Sequence, residues 1–63
     1  MSFWRITYEF QGKKYAIERK FEHEARDEEW DLKVYGCLTR ADFVDEERGP
    51  REGIFPLDEA KPA

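Results

Sequence analysis

The stretch that decides the fold of this chain is WRITYEFQGKKYAIERKF, which covers residues 4 to 21. Its first half places apolar side chains at every even position from Trp4 to Phe10, with polar or charged side chains between them. Its second half places apolar side chains mainly at odd positions, and Gln11-Gly12 separates the two halves. A period of two is typical of half-buried strands, and glycine suits a two-residue turn because it reaches positive φ. The sequence therefore predicts an antiparallel hairpin.

Charge pairing indicates the register of this hairpin. A two-residue loop at Gln11-Gly12 places Arg5 opposite Glu18, and opposite charges across a strand pair are favourable. A loop shifted by one residue would place Arg5 opposite Lys20, and like charges at that position repel each other. We therefore expect the register in which Gln11-Gly12 forms the turn.

The segment after the hairpin supports two interpretations. From Glu24 to Tyr35 helix-forming residues predominate, and Gly36 then suits the position that ends a helix. However, apolar residues and one glycine also recur at every second position from 30 to 38, which is typical of a strand. We expect the helix, with a third strand as the alternative, followed by a short strand over residues 38–45.

These elements define an α+β fold: an antiparallel β-hairpin or three-stranded sheet with one helix packed on one face. An all-β meander is the alternative if the middle segment is a strand. The apolar residues of the hairpin would form the face that receives the helix: Trp4, Ile6, Tyr8, Tyr15 and Ile17. We expect residues 1–47 to form a single compact domain. Residues 48–63 are then a C-terminal tail that contains Gly and Pro and carries an apolar island at 54–57.

Composition excludes several classes of function. The chain has 63 residues, of which 11 are Lys or Arg and 15 are Asp or Glu, so its formal net charge at pH 7 is −4. Binding to a phosphate backbone needs a basic patch, so we expect no direct binding of nucleic acid. No apolar run is long enough to span a membrane, and the start lacks the basic and apolar segments of a signal peptide. The sequence therefore predicts a cytoplasmic protein that is not bound to a membrane.

Two residue types that often carry catalysis occur once each, as His23 and Cys37. His23 has no second histidine to complete a zinc motif. A nucleophilic cysteine needs a base and an orienting group, and His23 is the sole candidate base for Cys37. We expect a small core cysteine, and we predict no enzymatic activity, no metal and no cofactor. A thiol-dependent redox function at Cys37 is the third hypothesis for this protein.

Acidic residues are concentrated in the segment that follows the hairpin. Residues 1–21 carry a net charge of +3, whereas residues 22–63 carry −7. Six acids lie close together there, with Arg26 as the only base among them: Glu22, Glu24, Asp27, Glu28, Glu29 and Asp31. Clustered charge of one sign steers binding to an oppositely charged surface. We expect these residues to be an acidic face that binds a protein partner with a basic surface.

The apolar island of the tail is the second candidate binding site. Ile54, Phe55 and Leu57 follow a linker of Gly, Pro and charged residues. The island either folds back to cover an open side of the small core or inserts into a partner. A free sheet edge could also pair with a second copy. A small obligate homodimer with a structural or regulatory role is therefore the alternative function.

The layout resembles the small acidic proteins that phages and mobile elements encode to block host defence, the anti-CRISPR class among them. The features that match are the length, the acidity, the hairpin from Trp4 to Phe21 and the acid cluster from Glu22 to Asp31. The resemblance carries over no individual functional residue. Together with the charge asymmetry, it indicates a non-catalytic protein-interaction module, a small acidic inhibitor or adaptor that binds a larger host protein.

Overall fold

Residues 1–57, which the computed structural model describes, form a four-stranded antiparallel sheet with one helix. The elements in chain order are β1 (Ser2–Phe10), β2 (Lys13–Arg19), α1 (Glu22–Val34), β3 (Leu38–Asp45) and β4 (Ile54–Pro56). The strand order across the sheet is β3-β1-β2-β4. The predicted α+β class is confirmed.

The hairpin of β1 and β2 forms in the register that the charges predict. Arg5 lies opposite Glu18 across the antiparallel pair. Both turn residues adopt positive φ, 55° at Gln11 and 80° at Gly12. Positive φ at both central residues is the requirement of the two-residue turns that match strand twist, so the turn and the pairing agree.

The middle segment is a helix, so the alternative all-β meander is wrong. α1 ends where Gly36 takes the left-handed conformation, with φ of 92°. The N–H groups of Gly36 and Cys37 donate to the carbonyl oxygens of Lys33 and Leu32, at 2.9 and 3.0 Å. These two bonds satisfy carbonyls that the helix end would otherwise leave open. The chain then leaves the helix axis, and β3 begins at Leu38 as predicted.

The helix connects two strands that are not neighbours in the sheet. β3 pairs with the outer side of β1, so β1 lies between β2 and β3. β2 and β3 run parallel to each other because each is antiparallel to β1. α1 makes the crossover on one face of the sheet, where Glu28 of the helix pairs with Arg19 of β2.

The C-terminal segment joins the same sheet, which therefore has four strands and not the expected two or three. After β3 the chain crosses the face opposite the helix, and β4 then pairs antiparallel with β2. Residues 48–57, the first part of the predicted tail, thus pack on the sheet formed by residues 1–47. Residues 58–63 of the predicted tail lie outside the described residues.

The face under the helix carries the expected core, but with fewer members. It buries three side chains of the hairpin against Ala25 of α1: Ile6, Tyr8 and Ile17. Trp4 and Tyr15 were expected beside them and are only half-buried. Trp4 lies at the margin of the helix-covered area, where its ring packs edge-on against Phe43 of β3 at 5.2 Å between centroids.

The opposite face has a core of its own that the hairpin pattern does not predict. It buries Phe3, Ala16 and the charged side chain of Glu18 beneath the segment that connects β3 to β4. One sheet thus separates an apolar core under the helix from a second core with a buried carboxylate at its centre. Within residues 1–57, no helix has both the length and the apolar composition needed to cross a bilayer.

Candidate functional site

Half of the predicted acidic face is neutralised by bases of the same chain. Three of its six acids form ion pairs, two of them one helical turn apart and the third between the helix and the sheet. The pairs, with their N–O distances, are Glu22–Arg26 at 2.9 Å, Glu29–Lys33 at 3.3 Å and Glu28–Arg19 at 2.7 Å. These three carboxylates contact bases of the helix and of the sheet, so three of the six predicted residues are paired within the chain.

The other three acids form an exposed stripe along α1, which we call the acidic stripe: Glu24, Asp27 and Asp31. Their spacing of three and four residues places them on one side of the helix. No base among residues 1–57 pairs with them. Glu28 lies on the same side and binds Arg19 of β2. The acidic stripe therefore points toward the β2 and β4 side of the molecule.

The outer side of the helix exposes large apolar side chains next to the acidic stripe, because Trp30 lies three residues after Asp27 and Val34 three residues after Asp31. Trp30 is 69% exposed and Val34 is 67% exposed, and the depression beside Trp30 is lined by the charged residues Arg26, Glu29 and Lys33. Helical periodicity explains the exposure, because Trp30 lies about 140° around the axis from Ala25, which faces the sheet. The helix thus presents Trp30 and Val34 beside the acidic stripe, and its paired charges lie on the other flank.

The apolar island of the tail covers the hairpin in part. Phe55 is half-buried, with the guanidinium of Arg51 4.7 Å from its ring centroid. The Leu57 N–H donates to the Lys14 carbonyl at 3.0 Å, which extends the pairing beyond β4. Ile54 lies opposite Ile17 and remains 61% exposed at the sheet margin. Phe55 and Leu57 therefore cover part of the core, which is one of the two interpretations of the island. Ile54 remains as exposed apolar surface.

The largest concentration of polar contacts is around Glu18, on the face opposite the helix. Its carboxylate accepts hydrogen bonds from the Arg5 side chain at 3.0 Å and the Arg51 backbone N–H at 2.9 Å. The Arg48 guanidinium donates to both carboxylate oxygens, at 2.7 and 2.8 Å. Such a bidentate arginine–carboxylate pair is strong and fixes the relative orientation of the two side chains. Glu18 therefore ties the connection between β3 and β4 to the hairpin.

The environment of Glu18 changes its ionisation. Burial by itself favours the neutral acid, but the hydrogen bonds from Arg48, Arg51 and Arg5 favour the carboxylate more strongly and lower the pKa of Glu18 to about 2. A carboxyl group with this pKa stays ionised at neutral pH and is a poor general acid or base. The single buried carboxylate of the described residues is thus a structural group.

His23 and Cys37 lie at opposite ends of α1. His23 is exposed in the first turn of the helix and stacks on Phe21, at 5.8 Å between ring centroids. Cys37 follows the last turn, which puts about 20 Å of helix between the two residues. Cys37 is half-buried and lines an apolar depression of about 290 Å³ with Leu32 and Tyr35. His23 therefore cannot activate the Cys37 thiol within one chain.

Among residues 1–57, no three His, Cys, Asp or Glu side chains come together in an arrangement that could hold a metal ion. Comparison with protein-family profiles, with curated proteins and with solved structures found no significant match to this chain. The assignment of a function therefore depends on the geometry of its own side chains.

The sequence reasoning missed the two features that depend on long-range contacts. The sequence predicts only the cross-strand pair of Glu18 with Arg5. The bonds from Arg48 and Arg51 could not be predicted, because these residues are far from Glu18 in the chain. The long unpaired outer edge of β3 was also not singled out. The sequence predicts the strand over residues 38–45. It does not predict which strands lie beside it in the sheet, so the open edge could only be suspected.

Proposed function

We propose that the protein is a non-catalytic protein-interaction module, an inhibitor or adaptor that binds a basic surface of a larger protein through the acidic stripe. The observation that carries this proposal is the division of the helix acids into two sets. Glu24, Asp27 and Asp31 are exposed and have no basic partner among residues 1–57, whereas the other three acids are paired. Unpaired charge on a fixed helix gives a partner a preorganised target.

Exposed apolar surface lies on the same side of the molecule as the acidic stripe. Ile54 of β4 shares the helix-bearing face with Ile17, and the acidic stripe points toward β2 and β4. Stable interfaces combine an apolar centre with a polar rim. Ile54 supplies the apolar contact, and the acidic stripe supplies charge that steers the encounter.

The positions of the residues that could carry catalysis support the non-catalytic part of the proposal. Glu18 is held ionised inside the fold, and His23 and Cys37 are separated by the length of α1. Within residues 1–57, His23 and Cys37 are thus not arranged as base and nucleophile. A redox role for the Cys37 thiol needs no histidine and remains the third hypothesis.

The layout that resembles phage-encoded inhibitors of host defence determines which partner to test first. A host-defence protein with a basic surface is the class of partner that this resemblance and the acidic stripe both favour. Binding through charge at an exposed surface is screened by salt, so the complex should weaken as ionic strength rises.

The test is capture of partners from host lysate with the tagged full chain and with two variants of equal charge. The first variant removes the acidic stripe through Glu24→Gln, Asp27→Asn and Asp31→Asn. The matched control removes three acids elsewhere through Glu9→Gln, Glu47→Gln and Glu52→Gln. The proposal expects a partner that the wild type and the control retain and that the first variant loses. Equal retention by both variants would show that the acidic stripe is not the binding surface.

A further inference from the structure

The outer edge of β3 is a full-length strand edge without a partner. β3 pairs with β1 on one side, and no strand among residues 1–57 pairs with its other side. The opposite edge of the sheet is different, because β4 has three residues and ends at Pro56, and proline blunts a strand edge. A long open edge is a template for pairing with another chain.

The hydrogen-bond pattern shows which residues present their backbone groups at this edge. Met1 and Glu46 exchange both backbone hydrogen bonds, at 2.6 and 2.9 Å, just beyond the ends of β1 and β3. Hydrogen-bonded and non-hydrogen-bonded positions alternate along an antiparallel pair. The even residues of β3 therefore bond to β1, and the odd residues Thr39, Ala41 and Phe43 direct N–H and C=O outward.

The charges of β3 make this edge complementary to itself. Within one chain the Arg40 side chain donates to Asp42 at 3.0 Å. In an antiparallel pair of two β3 strands centred on Ala41, Arg40 of each chain also lies opposite Asp42 of the other, so the two ion pairs adjoin as one four-charge cluster. Leu38 of each chain then lies opposite Val44 of the other. Charged side chains thus meet opposite charges, and apolar side chains meet apolar ones. These pairs occupy the non-hydrogen-bonded positions, where side chains approach most closely.

Neighbouring registers do not have this property. In a two-fold pair, residues that lie opposite each other must belong to the same face of the sheet. The residue on the two-fold axis can therefore change only by whole residues, from Ala41 to Arg40 or to Asp42. Centring on Arg40 places Arg40 opposite its own copy, and centring on Asp42 places Asp42 opposite its own copy. Like charges directly opposite destabilise a strand pair. The register centred on Ala41 is therefore favoured over both of its neighbours.

Exposed apolar surface at β3 would be covered by this pairing. Leu38 is 75% exposed and Phe43 is 60% exposed in the single chain. Pairing places Leu38 against Val44 on one face and Phe43 against Thr39 on the other. Both helices lie on the same side of the joined sheet, because the two-fold axis is perpendicular to it. The acidic stripe points away from this edge and stays free.

We infer that two copies of this chain associate through β3, antiparallel and centred on Ala41, to give a continuous eight-stranded sheet. Opposite charges on an edge strand usually prevent pairing with foreign strands. Here their spacing of two residues admits one specific partner, which is a second copy. The inference goes beyond the proposed function, since it uses the edge of the sheet farthest from the acidic stripe.

Sedimentation equilibrium of the full chain, up to about 1 mM, tests this inference. The variants Arg40→Asp and Asp42→Arg each set two like-charge pairs across the two-fold, so each is expected to raise the dimer dissociation constant about tenfold or more. The two variants mixed in equal amounts have complementary edges again and are expected to form a heterodimer. The double variant Arg40→Asp/Asp42→Arg is expected to restore self-association within one chain.

The outcomes separate this edge from any other surface. Arg40 and Asp42 side chains are 80% and 42% exposed, so the variants should retain the circular dichroism spectrum of the wild type. A wild-type chain that stays monomeric to about 1 mM would overturn the inference. A wild-type dimer that both single variants retain, or that neither the mixture nor the double variant restores, would overturn it as well. Capture of a host partner through the acidic stripe is measured separately and can fail or succeed without affecting this result.

Discussion

Glu18 and Arg48 form a bidentate ion pair that joins β2 of the hairpin to the segment after β3. The guanidinium donates to both carboxylate oxygens, at 2.7 and 2.8 Å, across a separation of 30 residues in the chain. The same guanidinium lies 4.9 Å from the ring centroid of buried Phe3. This arrangement lets a small chain cover its second sheet face with charged side chains, because the Glu18 carboxylate is hydrogen-bonded through both oxygens and the Arg48 guanidinium lies over the aromatic ring of Phe3.

We expect Arg48→Ala to destabilise the fold by about 2–3 kcal/mol, because it leaves a buried carboxylate with part of its hydrogen bonds. Arg5 and the Arg51 N–H still contact Glu18, which limits the loss. Urea denaturation followed by circular dichroism measures the change. Arg26→Ala is the matched control, since it removes an exposed ion pair within α1 and should cost less than about 1 kcal/mol. Equal costs for the two variants would contradict the structural role of Arg48.

The pH dependence of stability should show the ionisation of Glu18. The pKa of Glu18 is about 2 in the folded protein, against an ordinary value of 4.5. Folding therefore favours the carboxylate, and this contribution is complete above the unfolded pKa. It declines as the pH falls below about 4.5 and is lost below about 2.

Comparison with Glu18→Gln isolates this contribution from that of the other carboxylates. The wild type should be the more stable protein at pH 7, and its advantage should shrink between about pH 4.5 and pH 2. Chemical denaturation of both proteins over this range gives the difference directly. An advantage that does not change with pH would show that the charge of Glu18 contributes nothing to folding.

Gly36 should be sensitive to substitution although it has space around it. Its φ is 92°, and a Cβ built on it meets no atom within 4 Å. The cost of Gly36→Ala is therefore conformational alone, about 1–2 kcal/mol for an L residue in the left-handed region. Gly36→Asn should cost less, because asparagine tolerates this region better. Thermal unfolding of both variants measures the order, and a smaller cost for alanine than for asparagine would contradict this account.

The elements that depend on neighbouring residues could be predicted from the sequence, and those that depend on distant ones could not. The hairpin register followed from the pair Arg5–Glu18, and the start of β3 followed from Gly36. The exposure of Trp30 could not be predicted, because the periodicity of a helix shows which residues share a side but not which side meets the sheet. The position of β4 depends on the ion pair between Glu18 and Arg48, whose partners are too far apart in the chain to form a pattern.

The six acids that the sequence predicts as one face differ in whether a base of the same chain pairs with them. Charge counting identifies six acids. The pairs Glu22–Arg26 and Glu29–Lys33 follow from helical spacing of four residues, and only the third pair depends on where the helix lies on the sheet. Arg19 reaches Glu28 only because α1 folds back over β2. The stripe that remains after pairing is therefore a property of the fold and not of the composition.

Truncation at residue 47, the predicted boundary between compact domain and tail, tests how much the C-terminal segment contributes to folding. A chain that ends at Glu47 loses Arg48, the Arg51 N–H and all of β4, so Glu18 keeps only Arg5 among its partners. The loss uncovers Phe3, which is fully buried in the intact chain. A small domain has little stability to spare, so we expect this chain to show no cooperative unfolding transition.

A chain that ends at Leu57 is the matched control, because it keeps β4 and every contact of Glu18. We expect it to unfold cooperatively, with a midpoint close to that of the full chain. Circular dichroism during heating distinguishes the two truncated chains. If the chain that ends at Glu47 unfolded cooperatively near the same midpoint, the connection from β3 to β4 would be an appendage. The loss of the transition in the shorter chain but not in the longer one would show that residues 48–57 are part of the folding unit.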